Sequence, residues 1–258
     1  MTHNLPEDGP TTRWKRFKDN DVVWSFINSP GAMIAAAVTV FLILACILAP
    51  IIAPFDPFDP SQISLWDGKL PPAWIEGGQS QYFLGTDNQG RDMLSTILYG
   101  GRLSVLVGLA AVCLGMVLGV TLGVISGYVG GVTDAVIMRI ADVQLTIPGI
   151  LLAILINGVG RAFLPLELRQ EFAVYVVIIA IGLTDWPQFA RVARGATMVE
   201  ANKEYVQSAR IIGLPAWLIM IRHVLPNTLR PVLVIATIGL ALAIIAEATL
   251  SFLGPGIP

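Results

Sequence analysis

The chain has 258 residues, of which 55% are hydrophobic and only 13% are charged, and its mean hydropathy is +0.72. A soluble domain carries about 25% charged residues, so this composition excludes an ordinary water-soluble globular protein. The formal net charge of −2 provides no overall basic field for nucleic acid, so we expect no nucleic-acid partner.

Five apolar segments are long enough to approach the roughly 20 residues that a helix needs to cross a bilayer. They comprise residues 32–53, 103–127, 132–156, 172–190 and 231–252. The first 30 residues are largely polar, and the run that follows is too long for a secretory signal peptide. The sequence therefore predicts an all-α, polytopic bundle of transmembrane helices, with domain limits of 1–30 and 31–258.

The distribution of Lys and Arg predicts the orientation, because cytoplasmic loops carry an excess of these residues. With the N-terminus inside, ten of the 16 basic residues lie in cytoplasmic segments, five lie outside, and Arg139 is intramembrane. Residues 54–102 then form a periplasmic loop, which the Pro-rich stretch 54–60 should keep irregular or extended. Residues 191–230 form a cytoplasmic helix-turn-helix that breaks at Gly213-Leu214-Pro215.

The cytoplasmic segment carries a spaced motif. It runs from Glu204 through Gly213, and nine residues later continues as His223-Val224-Leu225-Pro226-Asn227. This resembles the EAA loop of ABC-importer permeases, E-A-A-x3-G-x9-I-x-L-P, with Gln, Ser and His replacing Glu, Ala and Ile. The resemblance assigns ATPase coupling to these residues: Glu204, Tyr205, Gln207, Ser208, Ala209, Arg210, Gly213, His223, Leu225 and Pro226.

Three further stretches are similar to the dipeptide, oligopeptide and nickel permease family. They are 84–92 (LGTDNQGRD), 137–142 (IMRIAD) and 250–254 (LSFLG). Membership implies the type I ABC-importer permease fold, a second homologous permease, two ATPase subunits that bind ATP and Mg²⁺, and an external substrate-binding protein. Family members continue into a sixth span, whereas here Pro255 follows Gly254 and the chain stops at Pro258, so we expect five spans in this chain and a missing sixth. Peptide, nickel, glutathione and opine substrates all remain open.

In the same family the EAA loop docks in a cleft of the ATPase, and the residue types are compatible with that role. Ala209 and Gly213 are small enough for close backbone approach, and Glu204 and Arg210 can reach polar groups on the rim of the cleft. The alternative is a helical hairpin that merely joins two spans. Glycine at 213 also permits a turn with positive φ.

Four ionisable residues lie at or near membrane depth: Arg139, Asp142, Asp185 and Glu247. Such residues are costly in lipid and are candidates for the translocation pathway or for structural pairs. Arg139 and Asp142 are three residues apart on one helix face, so they can pair. Asp185 suits an interfacial position equally well, and Glu247 is the best candidate for the pathway or a subunit interface.

The residues that enzymes and metalloproteins need are not recognisable. The only Gly-Lys pair, Gly68-Lys69, is followed by Leu70, so no P-loop is present and ATP must be bound by a partner. Cys46 and Cys113 lie in apolar runs, which disfavours a disulfide framework, and His3 and His223 suggest no metal site. The competing functions are an ion-coupled secondary transporter, which needs midplane carboxylates and often repeat symmetry, and an intramembrane enzyme.

Overall fold

The computed structural model describes residues 25–169 and 171–253. The long helices are α1 (Pro30–Ile47), α3 (Met93–Val129), α4 (Gly131–Leu145), α5 (Gly149–Phe163), α6 (Ala173–Ala201) and α9 (Leu225–Phe252). Shorter helices are α2 (Ala49–Ile52), α7 (Glu204–Ile211) and α8 (Ala216–Ile219), and a π-helical segment, Met220–Val224, joins α8 to α9. The chain divides into two compact units, residues 1–102 and 103–258.

The prediction of a polytopic helical bundle is confirmed. In the described residues, four continuous helical stretches are long and apolar enough to span a membrane: Pro30–Ile47, Met93–Val129, Ala173–Ala201 and Ala216–Phe252. A fifth span exists if the bent pair α4 and α5 is counted as one. The basic residues of segment 1–24 and the Gly254-Pro255 end lie outside the described residues, so their predicted roles stay predictions.

Three helices extend beyond the apolar segments predicted to cross the membrane. Helix α3 begins at Met93, ten residues before the predicted apolar segment at 103. The fourth helix continues to Ala201 instead of ending at 190, so residues 191–201 are helical rather than part of a separate hairpin. The last predicted segment starts at Pro231, but Pro231 lies inside α9, which begins at Leu225. The continuous helical stretch that contains α9 starts earlier still, at Ala216.

The predicted third span is not one straight helix. It is broken between Leu145 and Gly149, and the two arms make an angle of 95°. Pro148 has no N–H to donate, and its ring disfavours helical backbone at the residue before it, so the helix ends here and a new one starts.

In the first unit, residues 53–92 contain only short 3₁₀ turns and an isolated bridge between Thr86 and Asp92, as the Pro-rich sequence predicted. Side chains hold the segment to the start of α3. The Asp92 carboxylate accepts from the Ser95 backbone N–H (2.8 Å) and hydroxyl (2.6 Å), and Ser95 Oγ accepts from the Phe55 N–H at 3.2 Å.

In the second unit, α3 and α6 touch backbone to backbone along a stripe of glycines four residues apart. The stripe consists of Gly115, Gly119, Gly123 and Gly127. A Cβ on Gly119 would lie 2.4 Å from the Trp186 carbonyl oxygen, and a Cβ on Gly123 would lie 2.4 Å from the Ala190 carbonyl oxygen. A Cβ atom does not fit at these distances, so the glycines permit the two helix backbones to pack directly against each other.

Around this contact lies the hydrophobic core of the second unit. Val107, Val124, Ile181, Phe189 and Val232 are buried together there, from α3, α6 and α9. Apolar burial is a weak driving force between helices in lipid, since acyl chains are equally apolar, and close van der Waals packing takes its place. The core therefore depends on how closely the glycine stripe lets the helices approach.

Gly119→Ala should destabilise the chain by about 1–3 kcal/mol, because the added methyl group meets a backbone carbonyl that cannot rotate away. Gly195→Ala is the matched control: Gly195 lies in α6 with open space around its Cβ position. The control should be neutral or stabilising by roughly 0.5–1 kcal/mol. The melting temperature of each purified variant in detergent measures its change in stability. Equal melting temperatures for Gly119→Ala and Gly195→Ala would contradict the packing argument.

Candidate functional site

The EAA-like residues from Glu204 to His223 fold into a compact element, residues 204–224, that we call the EAA hairpin, and Leu225 and Pro226 begin α9. Helix α7 ends in a Schellman cap, in which the Leu214 N–H donates to the Ala209 carbonyl (3.2 Å) and the Gly213 N–H donates to the Arg210 carbonyl (3.0 Å). Gly213 has φ +86°, the left-handed conformation that this cap requires. Pro215 then starts α8, so the predicted break at residues 213–215 is confirmed.

The EAA hairpin has its own small core. Val206, Ala209, Ile219 and Val224 are buried together, with Leu214 packed against them. Ala209 is only 5% exposed, so its small side chain serves the packing of α7 against the returning chain. This face of α7 is already covered, so the structure gives Ala209 a packing role, and its close approach to a partner stays a prediction.

The other coupling candidates lie mostly on the outer surface of the EAA hairpin. Glu204, Gln207, Ser208, Arg210, Gly213 and Pro226 are exposed, whereas His223 and Leu225 are half-buried. Gln207 Nε2 donates to the Asn202 carbonyl (3.0 Å), and Ser208 Oγ donates to the Glu204 carbonyl (2.9 Å). These bonds lie within the chain, so Gln207 and Ser208 also stabilise the entry to α7.

A polar network ties the EAA hairpin to two long helices. The Tyr205 hydroxyl donates to the carboxylate of Glu200, near the end of α6, and accepts from Asn227 Nδ2 of α9 at 3.1 Å. Asn227 Nδ2 also donates to the His223 carbonyl at 3.2 Å. Lys203 Nζ lies 2.7 Å from Glu200 Oε2, so this almost fully buried carboxylate has both a cation and a phenol as partners.

The network also shifts two acid-base equilibria. Desolvation, followed by the hydrogen bond to Glu200, raises the pKa of the Tyr205 phenol above its ordinary value. The hydrogen bond to Glu200 raises the pKa of Lys203. Both groups therefore stay protonated at neutral pH, so Tyr205 remains the donor to Glu200 and Lys203 remains a cation.

A third connection reaches α3. The guanidinium carbon of Arg210 lies 4.6 Å from the centroid of the Tyr128 ring, and Arg210 Nε donates to the Tyr128 hydroxyl at 3.2 Å. Stacking of this kind stabilises an arginine by about 0.5–1 kcal/mol at an exposed site. Arg210 therefore anchors α7 to the end of α3, which differs from the predicted role of reaching the rim of a partner.

The sequence reasoning missed several residues around the EAA hairpin. Glu200, Tyr128 and Asn227 complete its attachment; Asn227 ends the quoted motif but was given no role, and no local motif marks Glu200 or Tyr128. Ile211 and Ile212, at the end of α7, are 87% and 78% exposed. The sequence shows this apolar pair directly before the capping glycine. The two side chains are exposed because the core of the EAA hairpin has no room for them.

The intramembrane charges are arranged differently from the prediction. Asp142 pairs with Arg191, with 2.7 Å between Oδ1 and Nη2, so the expected Arg139–Asp142 pair was wrong. Arg194 forms a two-pronged pair with Asp134 at 2.5 and 2.6 Å, which joins α4 to α6. The partners in these two pairs lie 49 and 60 positions apart in the sequence, so a spacing pattern within one helix could not predict them.

Glu247 lies inside the packing of the second unit. It is 4% exposed, and its two carboxylate oxygens accept from Ser104 Oγ (2.6 Å) and Ser251 Oγ (2.8 Å). Its burial and its two serine partners indicate a structural role between α3 and α9, and its place in a pathway or subunit interface stays a prediction. Asp185 is half-buried, and Gln188 Nε2 lies 3.4 Å from its Oδ1. Arg139 is exposed on α4.

In the described ranges, no group of three or more His, Cys, Asp or Glu side chains has the arrangement of a metal site. Cys46 and Cys113 are free thiols.

Tyr205→Phe should weaken the attachment of the EAA hairpin by about 1 kcal/mol, because the hydroxyl loses its bonds to Glu200 and Asn227. Hydrogen exchange of the α7 amides should then accelerate by roughly fivefold. Tyr175→Phe is the matched control, since Tyr175 is 60% exposed and lies beside Phe172 at the end of α6 opposite Glu200. Unchanged exchange in Tyr205→Phe would show that the network does not hold the hairpin.

Comparison with known proteins agrees with this architecture. Residues 119–258 match the family described as binding-protein-dependent transport system inner membrane component, and residues 12–72 match the N-terminal transmembrane domain of oligopeptide transport permease C.

Individual relatives cover nearly the whole chain. The dipeptide transport system permease protein of Haemophilus influenzae is 41% identical over 231 residues, which is 90% of this chain and 74% of that protein. The di/tripeptide permease protein of Pseudomonas aeruginosa is 34% identical, and the match covers 99% of this chain and 80% of that protein. The oligopeptide permease protein of Bacillus subtilis is also 34% identical, and the match covers 92% of this chain and 72% of that protein. The chain therefore belongs to the inner-membrane components of binding-protein-dependent transport systems, as a multi-pass permease of the dipeptide and oligopeptide branch.

Proposed function

We propose that this chain is the transmembrane permease subunit of an ATP-driven ABC importer, and that it forms half of a translocation pathway for peptides or similar small solutes. The observation that carries the proposal is the EAA hairpin. It is anchored to α3 through Arg210, to α6 through Glu200 and to α9 through Asn227. A force applied to this element is therefore transmitted to three membrane helices at once.

The exposed tip of the EAA hairpin supports a docking role. Ile211 and Ile212 present apolar surface beside the open backbone of Gly213, around which no atom of the described chain lies within 4 Å of a Cβ position. A projecting apolar tip on a rigid base is suited to insertion in a cleft of another protein. We assign that cleft to a cytoplasmic ATPase subunit, which also binds the ATP and Mg²⁺ that this chain has no P-loop to hold.

The assembly that we propose contains a second homologous permease, two ATPase subunits and a periplasmic or extracellular substrate-binding protein. One set of five or six spans seldom encloses a channel wide enough for a peptide, so a partner permease must complete the pathway. The relatives are named for dipeptide, oligopeptide and glutathione transport, so the substrate class is a peptide or a peptide-like solute.

Gly213→Arg should abolish coupling while leaving the chain in the membrane. Arginine strains the positive φ and places a long cation at the docking tip. In the reconstituted complex, the variant should keep docking of the binding protein but lose substrate-stimulated ATP hydrolysis and uptake.

Gly213→Asn is the matched variant, because asparagine tolerates the left-handed conformation and is short. It should retain measurable stimulation of ATP hydrolysis. Wild-type transport and stimulation by Gly213→Arg would show that the EAA hairpin does not couple ATP hydrolysis to transport.

The orientation that we propose places residues 1–30 and 191–230 in the cytoplasm and 54–102 in the periplasm. In a background lacking Cys46 and Cys113, Ser80→Cys should react with an impermeant thiol reagent in intact cells. Ser208→Cys should react only after permeabilisation; both serines are exposed in the structure. The reverse pattern of labelling would invert the topology.

A further inference from the structure

The two arms of the broken third span flank an open cavity, lined mainly by exposed side chains, that the coupling role leaves unused. It lies in the 95° elbow between α4 and α5, against α6, and has a volume of about 500 Å³. Cavities of about 300–1,000 Å³ are the usual size for small-molecule sites. Most of the wall is apolar, and Arg139 is the only charged residue among those that line it.

One wall of the cavity is rigid. Gln144 Oε1 accepts from Trp186 Nε1 at 2.9 Å, and Gln144 Nε2 donates to the carbonyls of Leu183 (2.6 Å) and Thr184 (3.1 Å). Both the oxygen and the nitrogen of the Gln144 amide thus have partners on α6, and these bonds fasten the elbow to that helix. The cavity is therefore a formed feature of the bundle.

Arg139 is available to a ligand. Asp142, one turn along α4, is already paired with Arg191, and within ranges 25–169 and 171–253 Arg139 forms no hydrogen bond or ion pair. Its side chain is exposed. An unpaired arginine in a membrane helix is stable only where it faces water or an opposite charge.

We infer that this elbow cavity is a water-filled station of the translocation pathway, in which Arg139 binds a carboxylate of the passing solute. Guanidinium and carboxylate form paired, charge-assisted hydrogen bonds, and the remaining lining residues carry no charge that would compete for the carboxylate. The inference rests on the proposed transport function and adds to it a specific anion-binding residue. The solute class is one that carries a free carboxylate, as a dipeptide does.

The charge selectivity of the cavity tests this inference directly. In the complete transporter, with Cys46 and Cys113 replaced by alanine, Val143→Cys places a thiol in the cavity wall. An anionic ethylsulfonate methanethiosulfonate should react faster than its cationic trimethylammonium counterpart. Adding Arg139→Gln should lower the anionic-to-cationic rate ratio by roughly tenfold, and Arg139→Lys should preserve it.

Val132→Cys is the control position, exposed on the same helix about 10 Å from Arg139 along the axis. Its rate ratio should not respond to Arg139→Gln. The dipeptide alanyl-alanine should slow the anionic reagent at Val143→Cys when Arg139 is present, but not in the Arg139→Gln background.

Two results would overturn the inference. The first is that neither reagent reaches Val143→Cys, which would place the elbow against lipid or a partner subunit. The second is an unchanged rate ratio in Arg139→Gln. Failure of the proposed function is distinguishable, because it would appear as absent ATP-dependent uptake by the wild-type complex, whereas labelling requires no ATP.

Discussion

The close backbone contact between α3 and α6 is the constraint on which the second unit depends. In lipid, apolar side chains gain little by leaving the solvent, so helix pairing relies on dense packing. The glycines of α3 recur every four residues, and they face the carbonyls of Trp186, Ala190 and Arg194, which follow the same period on α6. Two helices with matched spacing can interlock along several turns, and α9 then packs against the pair.

This contact also determines where the polar groups meet. Because α3 and α6 run together to one end of the bundle, Tyr128 and Glu200 both arrive at the base of the EAA hairpin. Tyr128 receives Arg210, and Glu200 receives Tyr205. The hairpin is thus attached through groups that the glycine stripe has already brought to one place. The coupling role that we propose for the hairpin needs this stiffness, because a loosely attached hairpin would move without moving the membrane helices.

The charges at membrane depth divide into two kinds. Asp134, Asp142 and Glu247 have partners from other helices, and their role is to join α3, α4, α6 and α9. An ion pair between helices costs desolvation, but leaving one partner alone costs far more, so such pairs specify which helices are neighbours. Arg139 is of the other kind, since it faces the elbow cavity instead of another helix. The distinction between structural and available charges follows from partners that lie far away in the sequence.

Much of the architecture was readable from local patterns. Apolar runs of sufficient length predicted the spans, Gly213-Leu214-Pro215 predicted the turn, and the spaced residues from Glu204 to Pro226 pointed to the family. The glycine stripe was also readable, since Gly115, Gly119, Gly123 and Gly127 show the small-residue period directly. The helices extend past the predicted apolar segments, to Met93 and to Ala201, for a common reason: hydropathy marks the part of a helix inside lipid, whereas hydrogen bonding continues the helix beyond it.

The sequence by itself determined the membrane class, the number of apolar segments and the hairpin motif, because hydropathy and turn chemistry act between residues close in the chain. Only the tertiary structure decided that Asp142 belongs to Arg191, that Ala209 is buried, that Glu247 lies between helices and that Arg139 faces a cavity. These outcomes depend on helix rotation and on the 95° elbow at Pro148. Rotation and bend are set by packing between distant segments, for which a local pattern contains no information.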